Sequence, residues 1–90
     1  MIARDARPRL AKGVRLREDP VRGGFNLLAP ERVLRANASS VAVIALCDGA
    51  HTIGEIVDAL CGQYRADRER IERDTFALLD ALVEKRMITP

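Results

Sequence analysis

The stretch GVRLREDPVRGGFNLLAPERVLRA, residues 13–36, decides the fold that this chain can adopt. Near its start, Val14 and Leu16 alternate with arginines, which is the period of a half-buried strand. Residues 19–24 then combine a proline with two adjacent glycines, a composition typical of a tight turn because proline presets φ and glycine accepts positive φ. The stretch therefore predicts a first strand that starts at Gly13 and is followed by a reversal of the chain.

Two further short apolar runs follow the turn. Residues 25–29 (FNLLA) and residues 32–36 (RVLRA) each have the length and composition of a strand. Pro30 lies between them, and since proline has no N–H to donate to a strand ladder, it belongs in the connecting turn. Together the three runs predict a three-stranded antiparallel meander.

After the meander the apolar period changes from 2 to 3.6, which indicates helices. Asn37 or Ser39 can cap a first helix, which is expected to stop near Gly49, where glycine takes the left-handed conformation at low cost. Thr52 and Glu55 have the spacing of a capping box and therefore open a second helix.

A third and longer helix is expected from Asp67 to Met87, where apolar residues recur at helical spacing. The predicted fold is therefore α+β: a three-stranded antiparallel meander followed by three helices, with winged helix-turn-helix-like proportions. Ninety residues leave room for a single domain. Residues 1–8 are charged and end in a proline, so we expect a flexible N-terminal arm there and the domain at residues 9–90.

Charge is distributed unevenly along the chain, although the net charge is only +2. Residues 1–36 carry nine Lys or Arg against four acidic residues, and residues 37–90 carry six against nine. A basic first part and an acidic second part either steer charged partners or form an ordinary solvated surface. A net charge this small gives no indication of nucleic-acid binding.

The two cysteines, Cys47 and Cys61, are 14 residues apart and belong to no CxxC pair. We therefore predict free thiols and no metal site. The first ten residues contain no apolar stretch of the signal-peptide type, and no segment approaches the ~20 apolar residues of a membrane span. These features predict a cytoplasmic protein that does not enter a membrane.

His51 is the only histidine, and it lies between the first two predicted helices. A hydrolase or transferase needs a nucleophile with a base in reach, and that base is usually histidine. A histidine in a turn is more often structural, and the carboxylate of Asp48 can serve the same turn by accepting backbone N–H bonds. No glycine motif of the phosphate-binding kind precedes a helix. The sequence thus predicts a protein that is not an enzyme.

A winged-helix DNA-binding protein is the main alternative, because the step around Gly49 has the length and the glycine of a helix-turn-helix. A recognition helix needs polar or basic side chains at base edges and a positive field toward phosphates. Residues 52–63 contain Glu55 and Asp58 but no Lys or Arg. The charges therefore argue against a nucleic-acid partner.

The sheet offers another binding surface, since an exposed strand edge can accept an extended peptide as a further strand. The third strand, residues 32–36, is the candidate edge, and the third helix is expected to form a groove with it. Arg32 and Arg35 would then select a peptide that carries acidic residues. The same arginines have a simpler interpretation, in which they only protect the edge from aggregation.

Several short motifs occur in a fixed order along the chain. The most specific is the Leu-Cys-Asp-Gly turn at residues 46–49, followed by Thr52 and Ile53. The others are Lys12–Arg17, Leu27–Glu31, Ile56–Val57, Asp74, Leu78–Leu79 and Leu82. Together they resemble the pattern of the pyrroloquinoline quinone (PQQ) biosynthesis protein D family from about residue 8 to residue 88. One departure is Arg86, where members often carry glycine before the last apolar pair.

This resemblance implies a peptide chaperone, which binds the ribosomal precursor peptide of PQQ and presents it to a radical S-adenosylmethionine enzyme. In related domains the peptide lies as an added strand against the third strand and the third helix. The implied peptide-binding residues are Arg32, Val33, Leu34, Arg35, Asp74 and Leu78. The chain itself is expected to hold no cofactor, because it lacks the cysteine triplet of an iron–sulfur enzyme. Exposed strand edges also allow a homodimer by exchange of the first strands.

Overall fold

A computed structural model describes residues 2–90; Met1, part of the predicted arm, lies outside them. The strands are β1 (Arg9–Leu10), β2 (Arg15–Glu18), β3 (Phe25–Ala29), β4 (Arg32–Ala36) and β5 (Ile88–Thr89). The helices are α1 (Ala38–Ile44), α2 (Ile53–Gln63) and α3 (Arg68–Glu84). The predicted α+β class, with a three-stranded antiparallel sheet followed by three helices, is confirmed.

The meander has the strand order β2-β3-β4, so β2 and β4 are its two edges. Its register places Leu16 opposite Leu27 and Leu27 opposite Leu34. This row gives the sheet an apolar inner face, on which Leu27 is 1% exposed. The connection between β3 and β4 contains Pro30, as predicted from its missing N–H.

The first strand of the meander begins later than predicted. Gly13 has a φ of +83°, and the Val14 N–H donates to the Ala11 carbonyl, so the chain is still turning at these residues. Pairing with β3 starts at Arg15. The apolar alternation that suggested a start at Gly13 thus includes a residue of the preceding turn.

Asp19 organises the turn between β2 and β3. Its Oδ1 accepts the N–H groups of Arg22 and Val21, each at 3.0 Å. These bonds stabilise the charged carboxylate and hold the pKa of Asp19 below its ordinary value of 3.8. Gly23 and Gly24 have φ values of +75° and +72°, as the turn composition predicted.

The helix α1 begins where expected and ends early. The side-chain oxygen of Asn37 accepts the Ser40 N–H at 2.8 Å and caps the helix. The helix ends at Ile44 rather than near Gly49, because the N–H groups of residues 46–47 donate to carbonyls three positions back and tighten the chain into a turn. Gly49 then takes a φ of +79°.

The predicted capping box opens α2. The Thr52 N–H donates to Glu55 Oε1 at 2.7 Å, and the Glu55 N–H donates to Thr52 Oγ1 at 3.1 Å. The first of these bonds is the main reason that the pKa of Glu55 lies below its ordinary value of 4.5. The ionised form of Glu55 therefore stabilises the start of α2.

The variant Glu55→Gln is expected to show a weaker acid dependence of the melting temperature than the wild type. Because the pKa of Glu55 is lowered on folding, its stabilisation is present above the ordinary value and is lost as the pH falls through the lowered one. A glutamine keeps an acceptor for Thr52 but does not titrate. Melting curves recorded between about pH 6 and pH 3 test this, and equal slopes for the two proteins would contradict it.

The helix α3 ends at Glu84 rather than at the predicted Met87. The Met87 N–H donates to the Leu82 carbonyl at 2.9 Å, and the Arg86 N–H donates to Val83 at 2.9 Å. Arg86 adopts the left-handed φ of +61° between them. This is the Schellman type of helix end, in which glycine is usually found at the position of Arg86.

The variant Arg86→Gly is expected to raise the free energy of unfolding by about 0.5–1 kcal/mol. A left-handed residue with a Cβ atom costs roughly 1–2 kcal/mol, and glycine avoids this cost. The greater conformational entropy of glycine in the unfolded chain offsets part of the resulting gain in stability. Denaturant unfolding measures the change. Lys85 has a φ of −80°, so Lys85→Gly is a matched control that should lower stability. Destabilisation by Arg86→Gly would contradict the prediction.

A second, two-stranded sheet was missed in the sequence. It pairs β1 with β5, so that Arg9 lies opposite Thr89 and Leu10 lies opposite Ile88. Strands of two residues are too short to show an alternating pattern. The pairing joins the beginning and the end of the domain.

Residues 2–8, which the sequence predicts to be a flexible arm, are docked on the helices in this structure. The Ile2 N–H donates to Asp80 Oδ1 of α3 at 2.7 Å, and the Ile2 side chain is buried. The carbonyls of Ala6 and Arg4 accept the first two N–H groups of α2, at 3.1 and 3.3 Å. Because those N–H groups have no partner within the helix, the arm satisfies them.

The core lies between the inner face of the meander and the helices. Ile53, Ile56 and Val57 of α2 and Leu79 of α3 are 0% exposed. Met87, which follows α3, is almost equally buried. Among residues 2–90, no helix is long and apolar enough to cross a membrane.

Candidate functional site

A groove opens between α1 and α3, beside the C-terminal end of α2. Its cavity of about 500 Å³ is in the size range of ligand pockets in proteins. The apolar lining side chains are Val43, Leu60, Ile71, Leu78 and Ala66. The polar ones are Ser39, Ser40, Tyr64, Arg70, Asp74 and Thr75. The groove can therefore enclose an apolar side chain and offer hydrogen bonds around it.

Both residues that were predicted on the third helix, Asp74 and Leu78, line this groove. They are four positions apart and so share one face of α3. The Asp74 carboxylate lies 3.8 Å from Arg70 Nε, and both side chains are largely exposed. Such a pair contributes little to stability, so both groups can be recruited by a ligand. Leu78 is half-buried and packs against the core.

The four residues that were predicted on the third strand lie on β4, which is an edge of the sheet. Leu34 packs toward the core, whereas Val33 is 62% exposed. Arg35 Nη1 lies 3.4 Å from Asp19 Oδ2, so this arginine is partly engaged within the sheet. Within residues 2–90, Arg32 has no carboxylate within ion-pair distance.

The cavity lies between α1 and α3, whereas the sequence predicted a peptide site between β4 and α3, which stays a prediction. In the part of the chain that the structure describes, no residue of β4 lines the cavity. The strand β4 runs directly into α1, and Ser39 and Ser40 of the first turn of α1 line the cavity. The structure thus brings Asp74 and Leu78 together, and it places Arg32–Arg35 on the adjoining edge.

Sequence reasoning missed several lining residues. Tyr64 is the only tyrosine, and it stands at the C-cap of α2 with 42% of its surface exposed. An aromatic side chain just after a helix end was a detectable signal, because most aromatic residues of a small domain enter its core. Ser39, Ser40 and Arg70 gave no signal of their own, since their place in the groove depends on how α1 packs.

The turn between α1 and α2 holds the only histidine in a structural arrangement. Asp48 Oδ1 accepts the Ala50 N–H at 2.9 Å and lies 2.9 Å from His51 Nδ1. These bonds hold the pKa of Asp48 below its ordinary value of 3.8, and the bond from the Ala50 N–H has the larger effect. Both side chains therefore serve the turn, in the way the sequence suggested.

The thiols and carboxylates of residues 2–90 do not form an arrangement typical of a metal site or of a catalytic nucleophile. Burial raises the pKa of Cys47 to about 12, so its thiol stays protonated and unreactive near neutral pH. Cys61 is also free. Among residues 2–90, no three His, Cys, Asp or Glu side chains are grouped to hold a metal ion. The absence of a cofactor from this chain stays a prediction.

The second helix lacks the surface of a DNA-recognition helix. It contains no Lys or Arg. Its Asp58 forms an ion pair with Arg68, and its Glu55 is used in the capping box. A phosphate backbone would thus meet acidic rather than basic side chains along α2.

Comparisons with known proteins place these features in a family. The family model for coenzyme PQQ synthesis protein D (PqqD) matches residues 25–88. A PqqA binding protein of Rhodopseudomonas palustris strain TIE-1 is 41% identical over 88 residues, covering 98% of this chain and 86% of the relative. The bifunctional coenzyme PQQ synthesis protein C/D of Methylorubrum extorquens is 44% identical over 81 residues, which is 90% of this chain and 22% of that protein.

Solved structures share the fold. The solution structure of the PqqD truncation of Methylobacterium extorquens PqqCD, a stand-alone recognition element for ribosomally synthesised and modified peptides, has a TM-score of 0.78 and 43% identity. The match covers 92% of this chain and 88% of that one. PqqD from Xanthomonas campestris gives a TM-score of 0.59 at 37% identity, with 96% of each chain covered. A lasso peptide synthetase B1 in complex with a leader peptide gives 0.80 at 23% identity, covering 94% of this chain and 100% of that one.

Proposed function

The chain belongs to the coenzyme PQQ synthesis protein D (PqqD) family, and from this membership we propose that it is a non-catalytic peptide adaptor in PQQ biosynthesis. It binds the ribosomal precursor peptide, PqqA, and presents it to a radical S-adenosylmethionine enzyme. Relatives named PqqA binding proteins support the choice of peptide. The observation that carries the proposal is the open edge of β4, which runs directly into the groove between α1 and α3.

In the proposed complex the peptide adds to β4 as a fourth strand of the meander. Backbone N–H and C=O groups on the open side of β4 pair with the peptide and supply affinity that does not depend on its sequence. Each such bond contributes a net ~0.5–1.5 kcal/mol, so several in a row hold an extended segment. Arg32 at the edge favours an acidic side chain of the peptide, because it has no carboxylate partner among residues 2–90.

The groove supplies the sequence-dependent part of the affinity. Since β4 continues into α1, one end of an added strand arrives beside Ser39 and Ser40, at the mouth of the cavity. An apolar peptide side chain then inserts against Leu60 and Leu78, and the polar rim fixes its neighbours. The proposed contact residues are accordingly Arg32, Val33, Leu34, Arg35, Asp74 and Leu78, together with the lining residues of α1.

In this proposal the partner enzyme carries out the chemical modification of the peptide. The adaptor contributes binding and orientation, and the iron–sulfur cluster and S-adenosylmethionine belong to the enzyme. Because the precursor peptide is made on the ribosome, adaptor and peptide meet in the cytoplasm. Exchange of the docked residues 2–10 between two chains would produce a homodimer, which light scattering over a range of protein concentrations detects.

An NMR titration of the isotope-labelled protein with synthetic PqqA tests the proposal, and a DNA duplex serves as the control. We expect chemical-shift changes along residues 32–36 and around the groove, at Ser40, Asp74 and Leu78. The duplex should leave the spectrum unchanged. Shifts at residues 52–63 caused by the duplex, with none caused by the peptide, would replace the adaptor by the winged-helix DNA-binding alternative.

A further inference from the structure

The meander has a second face, which points away from the helices. On it the register aligns Arg15 with Leu28 and Leu28 with Val33, and it aligns Arg17 with Asn26 in the next row. Leu28 and Val33 do not belong to the hydrophobic cluster that fills the core, whereas their sequence neighbours Leu27 and Leu34 do. This outer face therefore carries two apolar side chains outside the core cluster, the half-buried Leu28 on the central strand and the exposed Val33 on the edge strand.

The outer face is also basic. Arg15 and Arg17 are exposed, and neither has a carboxylate within ion-pair distance among residues 2–90. Asp19, the acidic side chain near the hairpin turn, is already bound to Arg35 and to backbone N–H groups. Two uncompensated guanidinium groups on β2 thus lie beside an apolar pair, the half-buried Leu28 and the exposed Val33. This is the pattern of a surface that binds a partner carrying both acidic and apolar side chains.

A peptide on the edge of β4 would extend this same face. Side chains alternate between the two faces of a sheet, so every second residue of an added strand points outward next to Val33. The groove lies on the other side, among the helices. A protein that covers the outer face would therefore contact adaptor and bound peptide together, without competing for the groove.

We propose that the outer face, formed by Arg15, Arg17, Leu28 and Val33, is the docking surface for an acidic patch of the maturation enzyme. The inference rests on the proposed adaptor function. Carboxylates of the partner pair with the two arginines on β2, and an apolar side chain beside those carboxylates packs on Leu28 and Val33 of the neighbouring strands. Such contacts give an association that is faster at low salt and specific in register. The docked enzyme receives the outward-facing side chains of the peptide directly.

The test compares two double variants that change the net charge equally. Arg15→Glu with Arg17→Glu alters the outer face, and Arg73→Glu with Lys85→Glu alters exposed residues on and after α3. Binding of the purified radical S-adenosylmethionine enzyme to fluorescently labelled adaptor is measured by anisotropy at about 50 and 300 mM salt. The outer-face variant should lose about tenfold or more in affinity and most of the salt dependence, while the control stays within about twofold.

Binding of PqqA to the same variants separates this inference from the adaptor function. Unchanged peptide affinity with lost enzyme affinity supports the docking surface. Equal enzyme affinity for both double variants, with peptide binding intact, overturns it and leaves the adaptor function standing. Failure of the wild type to bind the peptide overturns the adaptor function itself. Leu28→Thr is a charge-neutral second variant, and it should weaken enzyme binding several-fold; if it instead abolishes self-association alone, the face binds a second copy of the chain.

Discussion

Replacing Ser40 with tryptophan is expected to lower the affinity for the precursor peptide by at least about thirtyfold, or ~2 kcal/mol. Ser40 lies in the first turn of α1 and lines the groove at the end nearest to β4. An indole at this position fills space in the groove, which Leu78 also lines and in which the peptide side chain would insert. Side chains that are buried in pockets carry most of the binding energy of such interfaces. Filling the groove therefore costs more binding energy than the loss of a single contact would.

The matched control is Ala45→Trp on the same helical segment. Ala45 is exposed, and it is not among the residues within 2–90 that line the groove. The variant should therefore change the peptide affinity by less than about twofold, because surface substitutions away from a site have small effects. Calorimetric titration of both variants with PqqA decides the matter. Tight binding by Ser40→Trp would show that the peptide uses the β4 edge without the groove.

Local signals in the sequence predicted much of the fold. The capping box at Thr52 and Glu55 forms with both of its hydrogen bonds, and Asn37 caps α1. Each is a contact between residues three apart, which needs no knowledge of the tertiary structure. Asp67 shows the limit of such reasoning: it occupies the N-cap position of α3, but its side chain makes no capping bond. A residue type permits a cap, and the local geometry then decides whether it forms.

Features that depend on distant residues escaped prediction. The pairing of β1 with β5 joins positions as far apart in the sequence as Arg9 and Thr89, and each strand is too short to show an alternating pattern. The docking of residues 2–8 depends on unpaired N–H groups at the start of α2, which a sequence shows only once the helix end is located. The contribution of α1 to the groove was not predicted for the same reason, since the position of α1 relative to α3 is a tertiary property.

The variant Leu79→Ala is expected to destabilise the protein by about 2–5 kcal/mol. Leu79 is 0% exposed and belongs to the core, whereas its neighbour Leu78 is half-buried and lines the groove. Truncation removes apolar contacts and leaves a cavity that the surrounding helices can only partly close. Since a domain of this size has a total stability of about 5–15 kcal/mol, the variant should unfold at a much lower denaturant concentration.

Two comparisons connect this loss of stability to the site. Val21 is 90% exposed, so Val21→Ala should change the free energy of unfolding by less than about 0.5 kcal/mol. Leu78→Ala should reduce the free energy of peptide binding by more than it reduces the free energy of unfolding, because Leu78 lines the groove. Denaturant unfolding and peptide titration of all three variants give the two quantities separately. If Leu79→Ala unfolded like the wild type, α3 would not be anchored through its buried face, and the position of Asp74 and Leu78 beside α1 would have no structural support.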